Sequence, residues 1–338
     1  MAATVNSAAC DSKPVGYNPY APKKPHFPPR AKSVISLFMS GGVSHIDTFG
    51  PKPALEKYAG QPLTGKGEVV VRQGHPGPLM PSPFKFRKYG QSGMDVSELF
   101  PAIAQPRRRS RFSTLGLSKL NEMDLESYPG SSAFRMQGCA PEAVDVNRES
   151  EATRKLYGMD DKTTEPFGRQ CLMARRLVER GVRFVQLYHG GLGVQNLDTW
   201  DAHNDVKENH TRHAAKVDRP IAGLLTDLKA RGLLDSTLVT WHGEFGRMPI
   251  SQKGVGRDHN PGAMTVWMAG ARIKGGQAIG TSDEFGYKAE QQPIAVHDLH
   301  ATMLHLLGID HTRLTYLFNG RNMRLTDVYG ELIPQIVS

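Results

Sequence analysis

Imidazoles and carboxylates fall together at four places in this chain: His45 with Asp47, His189 with Asp201 and His203, His242 with Glu244, and Asp258 with His259. One such pair is ordinary surface polarity. Four pairs in segments that each follow a short apolar run point to a divalent metal site, because imidazole nitrogen and carboxylate oxygen are the donors that zinc, calcium, magnesium and manganese select among. Two ions would occupy six to eight such donors, and the chemistry would be two-metal hydrolysis of an ester. The proposed ligand set is therefore His45, Asp47, Asp201, His203, His242, Glu244, Asp258 and His259. Arg247 and Arg257 flank it, and a guanidinium fork can hold a sulfate or phosphate group. The same two arginines can equally form salt bridges to the carboxylates beside them.

The elements that must position these groups follow from hydrophobic pattern. Residues 33–39 (S-V-I-S-L-F-M), 182–188 (V-R-F-V-Q-L-Y), 238–241 and 264–269 (M-T-V-W-M-A) are short apolar runs of strand length. Residues 149–156, 167–180, about 210–231 and 296–307 carry helical spacing, with Gly181, Gly232 and Gly308 as stop signals. Strands alternating with helices predict an α/β fold, a mainly parallel central sheet with helices on both faces. Ligands of such sheets lie at the carboxyl ends of the strands, where the His and acidic pairs fall. His210 and His213 read as surface residues at a helix start. His300 and His305 read as packing or capping residues, and Asp298 as a group acting near the N-terminus of their helix.

Composition narrows the partners. The chain has 338 residues, 39% of them hydrophobic, and a net charge of +9. Its basic residues are scattered apart from Arg107 to Arg111, and no nucleic-acid recognition motif accompanies them, so a small anionic ester is the expected partner and nucleic acid is not. No apolar run reaches the length of a membrane span. Gly190-Gly191 and Gly275-Gly276 lack the dinucleotide-binding fingerprint. Three well-separated cysteines, Cys10, Cys139 and Cys171, define no disulfide framework. Residues 1–32 are rich in proline and read as an extended leader without a core. No signal peptide precedes them, so the chain as written stays in the cytoplasm.

Several strings together resemble the DUF1501 family, in the sulfatase-like branch of the alkaline phosphatase superfamily. They are F-M-S-G-G-V-S-H-I-D-T-F-G-P-K-P (38–53), G-M-D-V-S-E-L-F-P (93–101), R-G-V-R-F-V-Q-L-Y-H-G (180–190), W-D-A-H-N-D (200–205), G-E-F-G-R-M-P (243–249) and G-R-D-H-N (256–260). A last string runs from Lys274 to Gly308, and the match is nearly continuous from about Arg180 to the end. The resemblance implies an alkaline-phosphatase-like fold and a metal-dependent hydrolase of sulfate or phosphate esters. It implies Asp201 and His203 as the central ligand pair, Asp258-His259 as the last ligand, and Asp47 with His45 at the first strand. Glu244 would stand in for the carboxylate that Trp241 replaces. It also implies an exported protein, should the N-terminus be incomplete. Two departures from the family are expected: no export signal, and an internal deletion near 105–131 that removes the segment suited to hold a nucleophile. Ser113-Thr114 is the only hydroxyl pair nearby. The expected organisation is a leader over 1–32 and one partly truncated α/β domain over 33–338. The alternative function is a metal-binding remnant that acts as a binding module without turnover.

Overall fold

The computed structural model describes residues 24–67, 69, 71, 74, 76–90, 93–104, 113–117, 144–191 and 198–337. Its centre is a six-stranded sheet. Numbered in chain order, the strands are β1 (Ser33–Met39), β2 (Ser113–Leu117), β3 (Phe184–His189), β4 (Thr237–His242), β5 (Met264–Gly270) and β6 (Gln277–Ile279). Their order across the sheet is β6-β2-β5-β4-β1-β3. β3, β1 and β4 run parallel, β5 runs antiparallel to both β4 and β2, and β6 is parallel to β2. One strand of six is thus reversed, and the sheet is mostly parallel as its alternating elements predict.

β1 shows why it is central. Ile35, Leu37 and Met39 enter one apolar cluster, and Val34 enters another on the opposite face. A strand covered on both faces reads as a continuous apolar run rather than an alternation. The first cluster is closed by two long helices, α1 (Glu165–Glu179) and α2 (Val206–Ala230), through residues such as Leu172, Val217 and Leu224. The second is closed by α3 (Val296–Leu306) through Leu299 and Leu306. Arg175, buried on α1, pairs with Glu149 at 2.7 Å and with Asp227 of α2 at 2.9 Å, so the two helices are locked by charge as well as by packing.

Element ends differ from expectation where a cap was not read. α2 begins at Val206, not near 210, because the Asp205 side chain accepts from the Glu208 amide at 2.9 Å. His210 and His213 continue the inward stripe of Ala214, Val217 and Ile221, and both are fully buried rather than on the surface. Asp298 caps α3 by accepting from the Ala295 amide at 2.8 Å. The folded body also starts before Ser33: the amides of His26 and Ala31 donate to the carbonyls of Gly308 and Leu306 at 2.8 Å, and Ala31 is buried. The rest of the leader and most of the expected deletion, residues 105–112 and 118–131, lie outside the described residues. Between them, 113–117 supplies β2, a strand the pattern did not reveal; the side chains of Ser113 and Thr114 are not among those described. Among the described residues no helix is long and apolar enough to cross a membrane.

Candidate metal centre

Two irregular segments meet beyond the carboxyl ends of β1, β3 and β4. The first runs from Asp198 to Asp205 between β3 and α2. Its course is fixed by the Trp200 amide, which donates to the Ser40 carbonyl at the end of β1 at 2.8 Å, and by the buried Trp200 indole, which donates to His189 Nδ1 at 3.0 Å. The second follows β4 and folds into a small ladder in which Gly246–Arg247 pairs with His259–Asn260. The Arg257 amide donates to the Ala202 carbonyl at 2.9 Å, which ties the two segments together. Their approach is so close that a Cβ on Gly256 would lie 1.9 Å from the His203 carbonyl oxygen, so only glycine fits there.

Three side chains converge at this seam. Asp201 Oδ1 lies 2.9 Å from His203 Nε2 and 3.0 Å from His259 Nε2, and the two imidazole nitrogens are 3.0 Å apart. Among the described residues this is the one group of at least three acidic, His or Cys side chains with its donor atoms close enough to share an ion. His203 Nδ1 sits 2.5 Å from Gln252 Oε1. An amide oxygen only accepts, so Nδ1 carries the ring proton and Nε2 presents its lone pair to Asp201 and His259. A single proton can satisfy one edge of that triangle and no more. A cation shared by all three atoms satisfies every edge, and four-coordinate bonds of about 2.0–2.1 Å would set donors roughly 3.3 Å apart. The donor set therefore fits a divalent ion, with Gln252 fixing the tautomer from behind.

Charge at the seam is balanced from one side. The buried Arg247 donates from Nη2 to Asp201 Oδ1 at 2.6 Å, from Nε to the Gly42 carbonyl at 2.7 Å and from Nη1 to the Arg257 carbonyl at 3.0 Å. Burial opposes ionisation of Asp201, but the hydrogen bond from His259 and the charge of Arg247 outweigh it and hold the carboxyl below the usual carboxylate range. Phe245 packs on His259, the two ring centroids 4.1 Å apart.

The other five expected ligands lie apart from the triangle. Asp258 is adjacent: its Oδ1 accepts from the His259 amide at 2.8 Å and lies 3.8 Å from His203 Nδ1. Asp47 is fully buried and gives both oxygens to Arg257, at 2.8 and 3.3 Å, while Ser44 Oγ donates to Oδ2 at 2.5 Å. His45 Nε2 meets the Gly286 carbonyl at 2.8 Å, and burial pulls this imidazole down to about 4. His242 Nε2 meets Ser36 Oγ at 2.9 Å. Glu244 Oε1 accepts from the Gly41 amide at 2.7 Å, its Oε2 is buried without a hydrogen-bond partner, and burial raises its pKa. Arg247 and Arg257 are both fully buried and engage carboxylates and carbonyls of this chain, which is the salt-bridging reading of their sequence positions. Gln252 and Phe245 were not legible as site residues. Gln252 lies in a short strand, Ile250–Gln252, whose sequence carries no motif, and Phe245 lies inside the matched string as its one aromatic.

Comparison with known proteins adds a family. Residues 31–115 and 118–337 match the family model described as "Protein of unknown function (DUF1501)". Lipoteichoic acid synthase 2 of Bacillus subtilis (strain 168) is 26% identical over 213 residues, which cover 56% of this chain and 29% of that protein. The chain thus spans less than a third of the length of that relative. The solved structure of the lipoteichoic acid synthase LtaP from Listeria monocytogenes aligns with a TM-score of 0.33 and 12% identity over 84% of this chain and 74% of that one. Ps i-CgsB in complex with k-i-k-neocarrahexaose aligns with a TM-score of 0.34 and 13% identity over 85% and 72%.

Proposed function

The chain belongs to the DUF1501 family, and from that premise we propose that it is a sulfatase-like, metal-dependent hydrolase of sulfate or phosphate esters, with its ion held by Asp201, His203 and His259. The observation that carries the proposal is the triangle of donor atoms at 2.9–3.0 Å together with the commitment of His203 Nδ1 to Gln252. Two imidazoles and one carboxylate favour zinc or manganese over calcium and magnesium, which take oxygen donors. The likeness to a protein named lipoteichoic acid synthase 2 supports an enzymatic role for this scaffold.

When bound, a divalent ion would act as a Lewis acid toward an ester oxygen. The chain's own residues hold the remaining parts. Arg247 neutralises Asp201 from the buried side, so the carboxylate stays ionised while it faces the open side of the seam. Phe245 packs on one flank of the His259 ring and supports its orientation. The buried Oε2 of Glu244, which has no hydrogen-bond partner, supports a role for this residue as a proton acceptor or as a ligand of a second cation in this reading.

A second reading, a metal-binding module without turnover, is favoured by one feature. Both arginines that would clamp an anionic ester are turned inward on Asp201 and Asp47. Protein loaded with zinc or manganese and assayed against p-nitrophenyl sulfate and p-nitrophenyl phosphate separates the two. Multiple turnovers lost in His259→Ala support the hydrolase. Stoichiometric metal binding without turnover leaves the binding module, and absence of metal binding overturns both.

A further inference from the structure

A β-hairpin near the C-terminus, Thr315–Phe318 paired with Arg321–Arg324, forms a two-stranded sheet of its own. Its turn is Asn319-Gly320, both residues in the left-handed region at φ +47° and +75°, which is the tight hairpin turn that Asn-Gly specifies. The strand before the turn carries Tyr316, Leu317 and Phe318, which are 50%, 73% and 58% exposed. Three consecutive large apolar residues at the end of a hairpin are costly in water, at about 1.5–3 kcal/mol per side chain relative to burial.

Two features identify what covers them. Side chains alternate across a strand, so Tyr316 and Phe318 point to one face and Leu317 to the other. An interface with a second folded surface buries one face of a hairpin and leaves the opposite one wet. A tip apolar on both faces suits a medium that surrounds it, which is the interfacial zone of a bilayer. The second feature is charge. From Thr312 to Thr326 the sequence contains Arg313, Arg321 and Arg324 and no carboxylate. Cations flanking an apolar tip match an anionic leaflet, and tyrosine beside them suits the headgroup level.

We propose that this hairpin docks the protein on anionic lipid, with Leu317 and Phe318 entering the headgroup–acyl boundary and Arg321 and Arg324 contacting lipid phosphates. The inference does not depend on the metal centre. The test is co-sedimentation of the full chain with vesicles of equal parts phosphatidylglycerol and phosphatidylcholine, and with vesicles of phosphatidylcholine alone. The expected result is binding to the anionic vesicles only, reversed by high salt. Leu317→Ser combined with Phe318→Ser should weaken it by roughly tenfold or more, and Arg321→Glu with Arg324→Glu should abolish the preference for phosphatidylglycerol. Phe318→Trp should show a blue-shifted emission when anionic vesicles are added. Unchanged circular-dichroism melting shows that the variants are folded. The proposal is overturned by no vesicle binding, by binding that ignores both double variants, or by a dimer in sedimentation velocity that Leu317→Ser/Phe318→Ser dissociates while vesicles do not compete, which would make the tip a protein interface.

Discussion

Gln252 decides which nitrogen of His203 faces the site. Its amide oxygen takes the Nδ1 proton, and its own NH2 is directed toward the Gly74 carbonyl at 3.5 Å. Gln252→Ala should therefore keep the fold and lower zinc or manganese affinity by roughly 10–100-fold, as read by titration calorimetry; an unchanged affinity would show that the amide does not orient the ring. Arg257 presents the opposite case, a buried charge whose role is structural. Removing it in Arg257→Met leaves the Asp47 carboxylate buried without its cation, and should cost about 3–5 kcal/mol in urea unfolding. Asp47→Asn in the same chain should restore part of that loss, and a loss confined to metal affinity would instead make Arg257 a site residue. These residues show how far the sequence reads. Asp201, His203 and His259 stand out in the sequence because each belongs to a short His-and-acid string on a loop beyond a predicted strand. Asp47 and Glu244 occupy similar positions, but the groups that claim them, Arg257 and the Gly41 amide, lie 210 and 203 residues away in the chain. No local pattern records a partner at that distance.

Among the elements, α2 carries the most consequential departure from pattern. His210 and His213 share its inward face with Ala214 and Val217, and their rings pack against Trp200 with centroids 5.1 and 5.4 Å away. His189 closes the group from the end of β3, 5.3 Å from His213. Burial pulls all three imidazoles below the ordinary value of 6.5, His189 and His210 to about 3 and His213 to about 4. Below pH 6.5 the unfolded chain takes up protons that the native rings refuse. Stability should thus be fully present above that pH and decline as the pH falls toward 4, by up to about 1.4 kcal/mol per pH unit for each ring. Urea midpoints compared at pH 7.5 and pH 5, with and without excess chelator, would register it, and equal midpoints would refute it. Helical spacing marks α2 clearly, yet histidine is polar by type, so a pair at a helix start reads as surface even though it continues the stripe of Ala214, Val217 and Ile221. β2 was illegible for a different reason: Ser113–Leu117 is a short strand beside a basic run, without an alternation to announce it.

At the scale of the molecule, the seam between 198–205 and 244–260 exists only in the folded state, so an ion bound there stabilises the native chain by mass action. Saturating zinc or manganese at about 100 times the dissociation constant should add roughly 2.7 kcal/mol, and chelator should remove it; a melting temperature indifferent to both would place metal binding elsewhere or nowhere. The sheet's overall class followed from strands alternating with helices, whereas the reversal of β5 did not, because a strand's direction is set by its connections and not by its composition. The order of that sheet carries a consequence for biosynthesis. β1 is made first but is flanked by β3 and β4, so its partner on the β4 side is encoded about 200 residues later. At translation rates of about 5–20 residues per second, that delay is roughly 10–40 s. Until β3 follows, about 150 residues on, this apolar strand has open backbone donors and acceptors on both edges, and its β4 edge stays open for the whole delay. The nascent chain should therefore engage a holding chaperone through residues 33–39 until residue 242 has emerged, and ribosome-bound intermediates truncated before β4 should aggregate where those extended past β5 do not.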